Sequence, residues 1–211
     1  LINRIYHYEI KQDVYMYQAG TGNDFMRSLK SKDKLVRIDS FLKKLPSIFF
    51  NNQRRYFLNG AGIGLDGLVV YLVNSDQKKK NKFNYFRNVF KALKTYKPVD
   101  VTLTVDNQMY DEKQIWLTSI MHAPYLGGGM KIAPKANRMK NDLEVVVIKK
   151  VPKWLLALIL PTIYLGWHTI FKKYVKIYSH VQSVEVTAKH PVYMQIDGEV
   201  ESHISSIKVK S

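Results

Sequence analysis

The chain contains no cysteine, which excludes both a disulfide framework and a thiolate zinc site. That absence is compatible with a reducing cytosol. No charged-then-apolar leader opens the sequence, and its first residue is Leu1 rather than Met. Acidic residues are few: 17 Asp and Glu stand against 33 Lys and Arg, a formal charge of +16. The imbalance predicts attraction to a polyanion, nucleic acid or an anionic membrane face, without choosing between them. Across 211 residues, 46% hydrophobic and 24% charged content excludes low-complexity disorder and collagen-like structure for most of the chain. That length suits one large domain or two modest ones. Long apolar runs are also scarce. The uncharged stretch Trp154–Phe171 just reaches the length of about 18 residues that a membrane span needs, but Pro161, Gly166 and His168 interrupt it. Two short helices broken near Pro161 suit it better. They either pack on the β-rich part or touch lipid, with Trp154 and Trp167 at headgroup level.

What is present changes texture along the chain. Leu1, Ile2 and Ile5 suit one side of a short helix, and Val14–Tyr17 a strand. A polar turn then leads to a helix over Phe25–Leu29, with Asn23 or Asp24 placed to cap it. Leu35–Asp39 reads as a strand and Ser40–Ile48 as a connection. Arg54–Ala61 is strand-like and ends in spaced glycines. Helical spacing returns over Leu65–Val73 and Tyr85–Tyr96, the latter with a stripe of Phe86, Val89, Phe90 and Leu93. From Pro98 onward the pattern is β. Val99–Val105 alternates, Asp106-Asn107 offers a hairpin turn, and Ile115–Met121 is its partner. Leu143–Ile148 is a nearly continuous apolar run, as expected of a strand covered on both faces. Val184–Ala188, Val192–Ile196 and Ile204–Val209 complete the β-rich part.

Four stretches carry candidate chemistry. Gly20-Thr21-Gly22-Asn23-Asp24 allows backbone N–H groups to approach phosphate, with Asp24 able to hold Mg²⁺; it also reads as a plain helix cap. Gly60-Ala61-Gly62-Ile63-Gly64-Leu65-Asp66 resembles a dinucleotide fingerprint, but no acid about 20 residues on completes a βαβ unit, so a Rossmann site is disfavoured. Close backbone packing explains those glycines equally well. Gly127-Gly128-Gly129-Met130-Lys131-Ile132-Ala133-Pro134 brings backbone near something or is a flexible connection. Asp197-Gly198-Glu199 reads as a hairpin turn with a surface carboxylate.

The order of these four stretches resembles the bacterial diacylglycerol kinases and related lipid kinases, whose catalytic domain is shared with sphingosine kinases. The resemblance implies α/β plus β architecture: a remnant of an α/β nucleotide-binding domain over 1–46, then a β-sandwich-like second domain with inserted helices over 47–211. It also implies a kinase using ATP and Mg²⁺ on a lipid hydroxyl, diacylglycerol to phosphatidate before any other lipid alcohol. By the match, Gly20, Thr21, Gly22, Asn23 and Asp24 face the nucleotide, with Thr21 on phosphate. Asp24 and Asp39 join the magnesium network, and Glu199 is the general base. The family's Gly-Gly-Asp-Gly-Thr segment is absent before Gly20, so the chain as given is expected to be inactive and to begin just after that segment. A catalytically incomplete lipid- or nucleotide-binding fragment is the alternative. Lys140 and Asn137 stand where the family's accessory magnesium ligands lie, so that site is expected to be empty. The charge then points to peripheral attachment at the inner membrane face, through residues such as Lys30, Lys150, Lys153 and Lys172. The partners expected are a lipid substrate and an anionic membrane, with a homodimer left open and nucleic acid ranked last.

Overall fold

The structure is a computed structural model and describes residues 2–6, 8, 11–19, 22–76 and 82–211. A small N-terminal unit holds helix α1 (Ile2–Ile5), strand β1 (Tyr15–Tyr17), α2 (Asp24–Leu29), β2 (Leu35–Arg37) and α3 (Asp39–Leu42). β1 and β2 form a two-stranded antiparallel sheet. Phe25, Met26, Ile38, Leu45 and Leu58 make a core of their own there. Asn23 is at the N-cap of α2, yet its side chain makes no capping hydrogen bond, contrary to the expectation for that turn.

The rest of the chain builds one nine-stranded sheet that folds over on itself. Its strands are β3 (Ser47–Phe50), β4 (Gln53–Tyr56), β5 (Gly60–Gly64), β6 (Val99–Val105), β7 (Gln108–Met121), β8 (Leu143–Lys149), β9 (Val175–Val181), β10 (Ser183–Ile196) and β11 (Glu199–Lys210). Hydrogen-bonded order runs β4-β3-β11-β10-β5-β7-β8-β9, with β6 also bridging β10 and β7. β7 and β10, each 14 residues long, pair with β6 over one half and with β5 over the other. Register shifts let β10 turn from one layer to the next between Thr187 and Val192, so two expected strands are one bent strand. Helices α4 (Leu65–Ser75), α5 (Lys82–Thr95) and α6 (Lys153–Thr162) cover one outer face, followed by two 3₁₀ turns at Ile163–Leu165 and Trp167–Ile170.

The alternation along β7 and β8 fixes two cores. Ile115, Ile120, Val145 and Val147 point into the space between sheet layers, with Leu103, Val186 and Ile207. Trp116, Leu117, Val146 and Ile148 point the other way, beneath α4, α5 and α6, a register shift between Ile115 and Leu117 letting the adjacent Trp116 and Leu117 share that side. Successive side chains of a strand face opposite sides, which explains the continuous apolar run at 143–148. Three expectations need correction. β3 lies partly where a connection was expected, because Ile48 and Phe50 alternate inward with exposed Phe49. β9 was not foreseen, since Lys176 and the His180-bearing end dilute its pattern. Arg54–Ala61 is not one strand but β4 and β5 separated by Phe57, Leu58 and Asn59. The spaced glycines are themselves β5, buried along its whole length.

Candidate active site

A cavity of about 330 Å³ lies between the sheet and its helical cover. Most of its wall is apolar: Leu65, Val69, Val89, Leu117, Ile148 and Ile163 are examples. The polar part of the wall comes from four separate pieces of chain. α2 supplies Asp24, the start of α4 supplies Asp66, the loop after Tyr125 supplies Gly127 and Gly128, and the β10–β11 turn supplies Asp197 and Gly198. Gln195, Asn59, Tyr85, Tyr164 and His168 add polar atoms to the lining.

Each carboxylate is held differently. Asp24 is buried, accepting from Gly128 N at 2.7 Å and from Arg27 Nη1 at 2.9 Å. Burial pushes its carboxyl above the usual range, against the opposing pull of those donors. The loop that reaches Asp24 has positive φ at Gly127, Gly128 and Gly129, and a Cβ on Gly129 would lie 2.4 Å from Arg27 Nη1. Glycine is required there because only it combines that backbone with that approach. Asp66 sits in the first turn of α4, accepts from Gly67 N at 2.9 Å and from Ser119 Oγ at 3.4 Å, and is pushed up to about 6 by burial. Its place exists because Gly62 has no side chain: a Cβ there would meet the carboxylate at 1.8 Å. Asp197, in a left-handed turn conformation, turns its carboxylate inward onto Leu58 N (2.5 Å), Asn59 N (2.9 Å) and Gly60 N (3.1 Å).

Arg138 ties these pieces together. It is buried and donates to Ser28 Oγ of α2 at 2.6 Å, to Leu58 O at 3.2 Å and to Asn59 Oδ1 at 2.6 Å. Its guanidinium also stacks over Phe25, 4.1 Å from the ring centroid. Burial brings its pKa down to about 10 and that of its neighbour His122 down to about 4, so His122 is neutral.

The residues expected from sequence distribute unevenly over this geometry. Gly20 and Thr21 lie outside the described residues. Gly22 and Asp24 line the cavity, and Asn23 precedes Asp24 at the helix start. Asp39 is not brought to it. Asp39 lines a separate cleft with Tyr6 and Val14, accepts from Val14 N at 2.7 Å and pairs with Arg37, which holds its carboxyl below the usual range. Glu199 is 69% exposed and 3.7 Å from Arg55, outside the cavity wall that its neighbours Asp197 and Gly198 join. At the accessory-metal position, Asn137 Oδ1 accepts from Met139 N at 3.0 Å and Asp142 pairs with His180 at 2.7 Å. Sequence reasoning passed over Asp66 as a cavity acid and Arg138 as a bridge. The one signal for Asp66 was its position four residues after Gly62; nothing local marked Arg138.

Among the described residues, no three of His, Asp and Glu gather into a metal cage. Asp24 lines the cavity with Oδ1 accepting from Arg27 and Oδ2 from Gly128. A hard cation that retains waters and leans on one or two carboxylates plus phosphate oxygens fits such a donor; a cation needing an all-protein shell does not.

Comparison with known proteins agrees with this architecture. Residues 60–209 match the family described as the YegS C-terminal NAD kinase beta sandwich-like domain. The chain belongs to that family. It is 29% identical over 170 residues to YtlR of Bacillus subtilis, assigned as a lipid kinase, covering 66% of this chain and 52% of that protein. To a diacylglycerol kinase of Staphylococcus haemolyticus it is 27% identical over 187 residues, covering 85% and 55%. The chain thus spans about half the length of the curated relatives it matches. A Bacillus anthracis protein assigned as a diacylglycerol kinase shares the fold, with a TM-score of 0.62, 22% identity and coverage of 91% of this chain and 63% of the other.

Proposed function

We propose that this chain is the C-terminal part of a kinase that transfers the γ-phosphoryl of ATP to a lipid hydroxyl, with diacylglycerol as the leading substrate. One observation carries the reading: a single cavity joins a largely apolar wall to a polar wall bearing Asp24, Asp66, Asp197 and the Gly127-Gly128 loop. Apolar binding with a few convergent polar groups is the usual form of a small-molecule site. The curated relatives named as lipid and diacylglycerol kinases support the same reaction class.

In this reading the acyl chains lie against Val69, Val89 and Ile163, and the hydroxyl faces the aspartates. Asp24 and the Gly22-Asn23 backbone orient the nucleotide end, with Asp24 the residue that would hold Mg²⁺ or its water. The metal supplies neutralisation of phosphate charge, which together with positioning provides most of the acceleration in phosphoryl transfer. Asp39, paired with Arg37 in a separate cleft, has no role in this reading.

Two residues compete as proton acceptor from the lipid hydroxyl. Glu199, assigned by resemblance, must leave Arg55 to reach the polar wall. Asp66 already lines the cavity and titrates at about 6, near the optimum for a base working at neutral pH. Radiolabelled ATP with diacylglycerol in mixed micelles, using the natural protein, tests the reaction; no transfer to any lipid alcohol would overturn it and leave the binding-fragment alternative. Comparing Glu199→Gln with Asp66→Asn identifies the base. The true base, once replaced, loses turnover and the acidic limb of the pH–rate profile while ATP binding is retained.

A further inference from the structure

The cover of the cavity is apolar on both its faces. Ala92 and Leu93 of α5, and Tyr96 just beyond its end, pack inward on the core around Trp116. On the outside of the same helix Phe83, Phe86 and Phe90 are 78%, 42% and 55% exposed. Their spacing of three and four residues puts them in one stripe. α6 repeats the arrangement: Leu156 and Ile159 are buried, whereas Trp154 and Leu158, four residues apart, are exposed. Trp167 and Ile170 of the following 3₁₀ turn are exposed as well. Single surface apolar residues need no explanation, but a contiguous set marks an interaction surface.

These elements are neighbours at one opening. Lys153 Nζ of α6 donates to the Lys94 carbonyl of α5 at 3.0 Å. Phe86 from α5 and Tyr164 from the first 3₁₀ turn, Ile163–Leu165, both line the cavity and reach the outer surface, so the apolar stripe borders the way in. The charge carried by these elements themselves has one sign. Neither α5 nor the segment 153–170 contains Asp or Glu. Lys91, Lys94, Lys97, Lys150, Lys153 and Lys172 are exposed around it. Of the described cations of α5, only Arg87 pairs with a carboxylate, Asp76. No helix among the described residues is long and apolar enough to cross a membrane. Exposed aromatic residues ringed by unneutralised lysines, on helices too short to span, suit the interfacial plane of an anionic bilayer.

We propose that the outer faces of α5, α6 and the 3₁₀ turns dock the protein on an anionic bilayer. Phe83, Phe90 and Trp154 enter the headgroup–acyl boundary and set the Phe86–Tyr164 rim against it, so that a lipid passes into the cavity without crossing water. The lipid passage rests on the lipid-kinase reading; the docking does not.

Flotation of the natural protein with phosphatidylcholine vesicles, with and without phosphatidylglycerol, tests it. Recovery with vesicles containing phosphatidylglycerol is expected, with a blue shift in tryptophan emission as Trp154 and Trp167 leave water while buried Trp116 stays constant. The double variant Phe83→Ser/Phe90→Ser should reduce partitioning on the order of tenfold. Lys91→Glu/Lys94→Glu should remove the preference for phosphatidylglycerol, and Met109→Ser, an exposed position on the β6–β7 hairpin, should change nothing. No flotation, or equal flotation of the wild type and both double variants, would overturn the proposal. So would self-association that the serine variant abolishes in the absence of vesicle binding, which would give the face to a second copy of the chain. Monomeric short-chain diacylglycerol separates the two readings. Docking variants should phosphorylate it normally; a wild type that floats but phosphorylates no lipid would sink the kinase reading and leave the docking intact.

Discussion

The two cores on either side of β7 and β8 share strands but not construction. Between the sheet layers, Ile48, Leu103, Ile120, Val145 and Val186 are fully buried. Beneath α4, α5 and α6, the same strands contribute Trp116, Leu117, Val146 and Ile148, and a cavity of about 330 Å³ lies among them. The difference is one of closure. β7 and β10 each pair with β6 over one half and β5 over the other, so continuous hydrogen-bonded backbone ties the sheet layers together around their core. Helices rest on a sheet through side chains alone, so three of them can meet over a gap. The aspartates that line a cavity with apolar walls all sit on the helical side, and burial there raises Asp24, Asp66 and Asp197.

This contrast can be broken at several points. Asp24→Asn in the natural protein should lower lipid phosphorylation on the order of a thousandfold, about 4 kcal/mol of transition-state stabilisation, with little change in unfolding midpoint. Retained activity in a kinetic assay would remove Asp24 from the chemistry. On the filled side, Ile120→Ala should cost about 3–4 kcal/mol in urea unfolding, whereas Leu160→Ala in the cavity wall should cost about 1 kcal/mol, since much of its contact surface is already void. Equal costs would erase the distinction between the two cores. Arg138→Leu should destabilise by about 3 kcal/mol, because Leu58 O, Ser28 and Asn59 lose a buried donor together. Calorimetry that found no change would mean that the N-terminal unit and the sheet are held by other contacts.

The last expected effect depends on pH. The Asp66 carboxyl titrates at about 6 in the folded protein against 3.8 for the ordinary group. The folded state therefore holds this proton more tightly, and the wild type loses stability as pH rises through the window from about 4 to 6, with no further loss above it. Asparagine has no proton to lose. The advantage of Asp66→Asn should grow across that window to about 2–3 kcal/mol and then stay level. Denaturant titrations on either side of pH 5 would show a constant difference instead if Asp66 were solvated.

Much of the sheet was legible because its patterns are local. Val99–Val105, the Asp106-Asn107 turn and the buried run at 143–148 followed from alternation and turn chemistry, and α4 and α5 from apolar spacing. β9 and β3 were not, since their pairing partners supply the burial that their own composition does not announce. At the site, the glycines of β5 illustrate the limit. Their spacing suggested either a ligand or packing. The fold uses Gly62 for packing, but the atom it makes room for is the Asp66 carboxylate that faces the cavity. Asp24 and Asp39 were both assigned to the magnesium network by the resemblance; only the chain's path puts Asp24 under the Gly128 amide and Asp39 against Arg37.

By itself the sequence determined the charge, the absence of cysteine chemistry, the strand alternation and the order of four glycine- or aspartate-bearing stretches, because each is a property of neighbours along the chain. The tertiary structure alone decided which aspartates share a cavity, that Arg138 bridges α2 to the sheet, and that Phe83, Phe86 and Phe90 stand outside rather than in the core. Those outcomes depend on contacts such as Asp24–Gly128, Ser28–Arg138 and Leu58–Asp197, 104 to 139 positions apart. Local physics cannot rank such contacts until the sheet has set the register that brings them together.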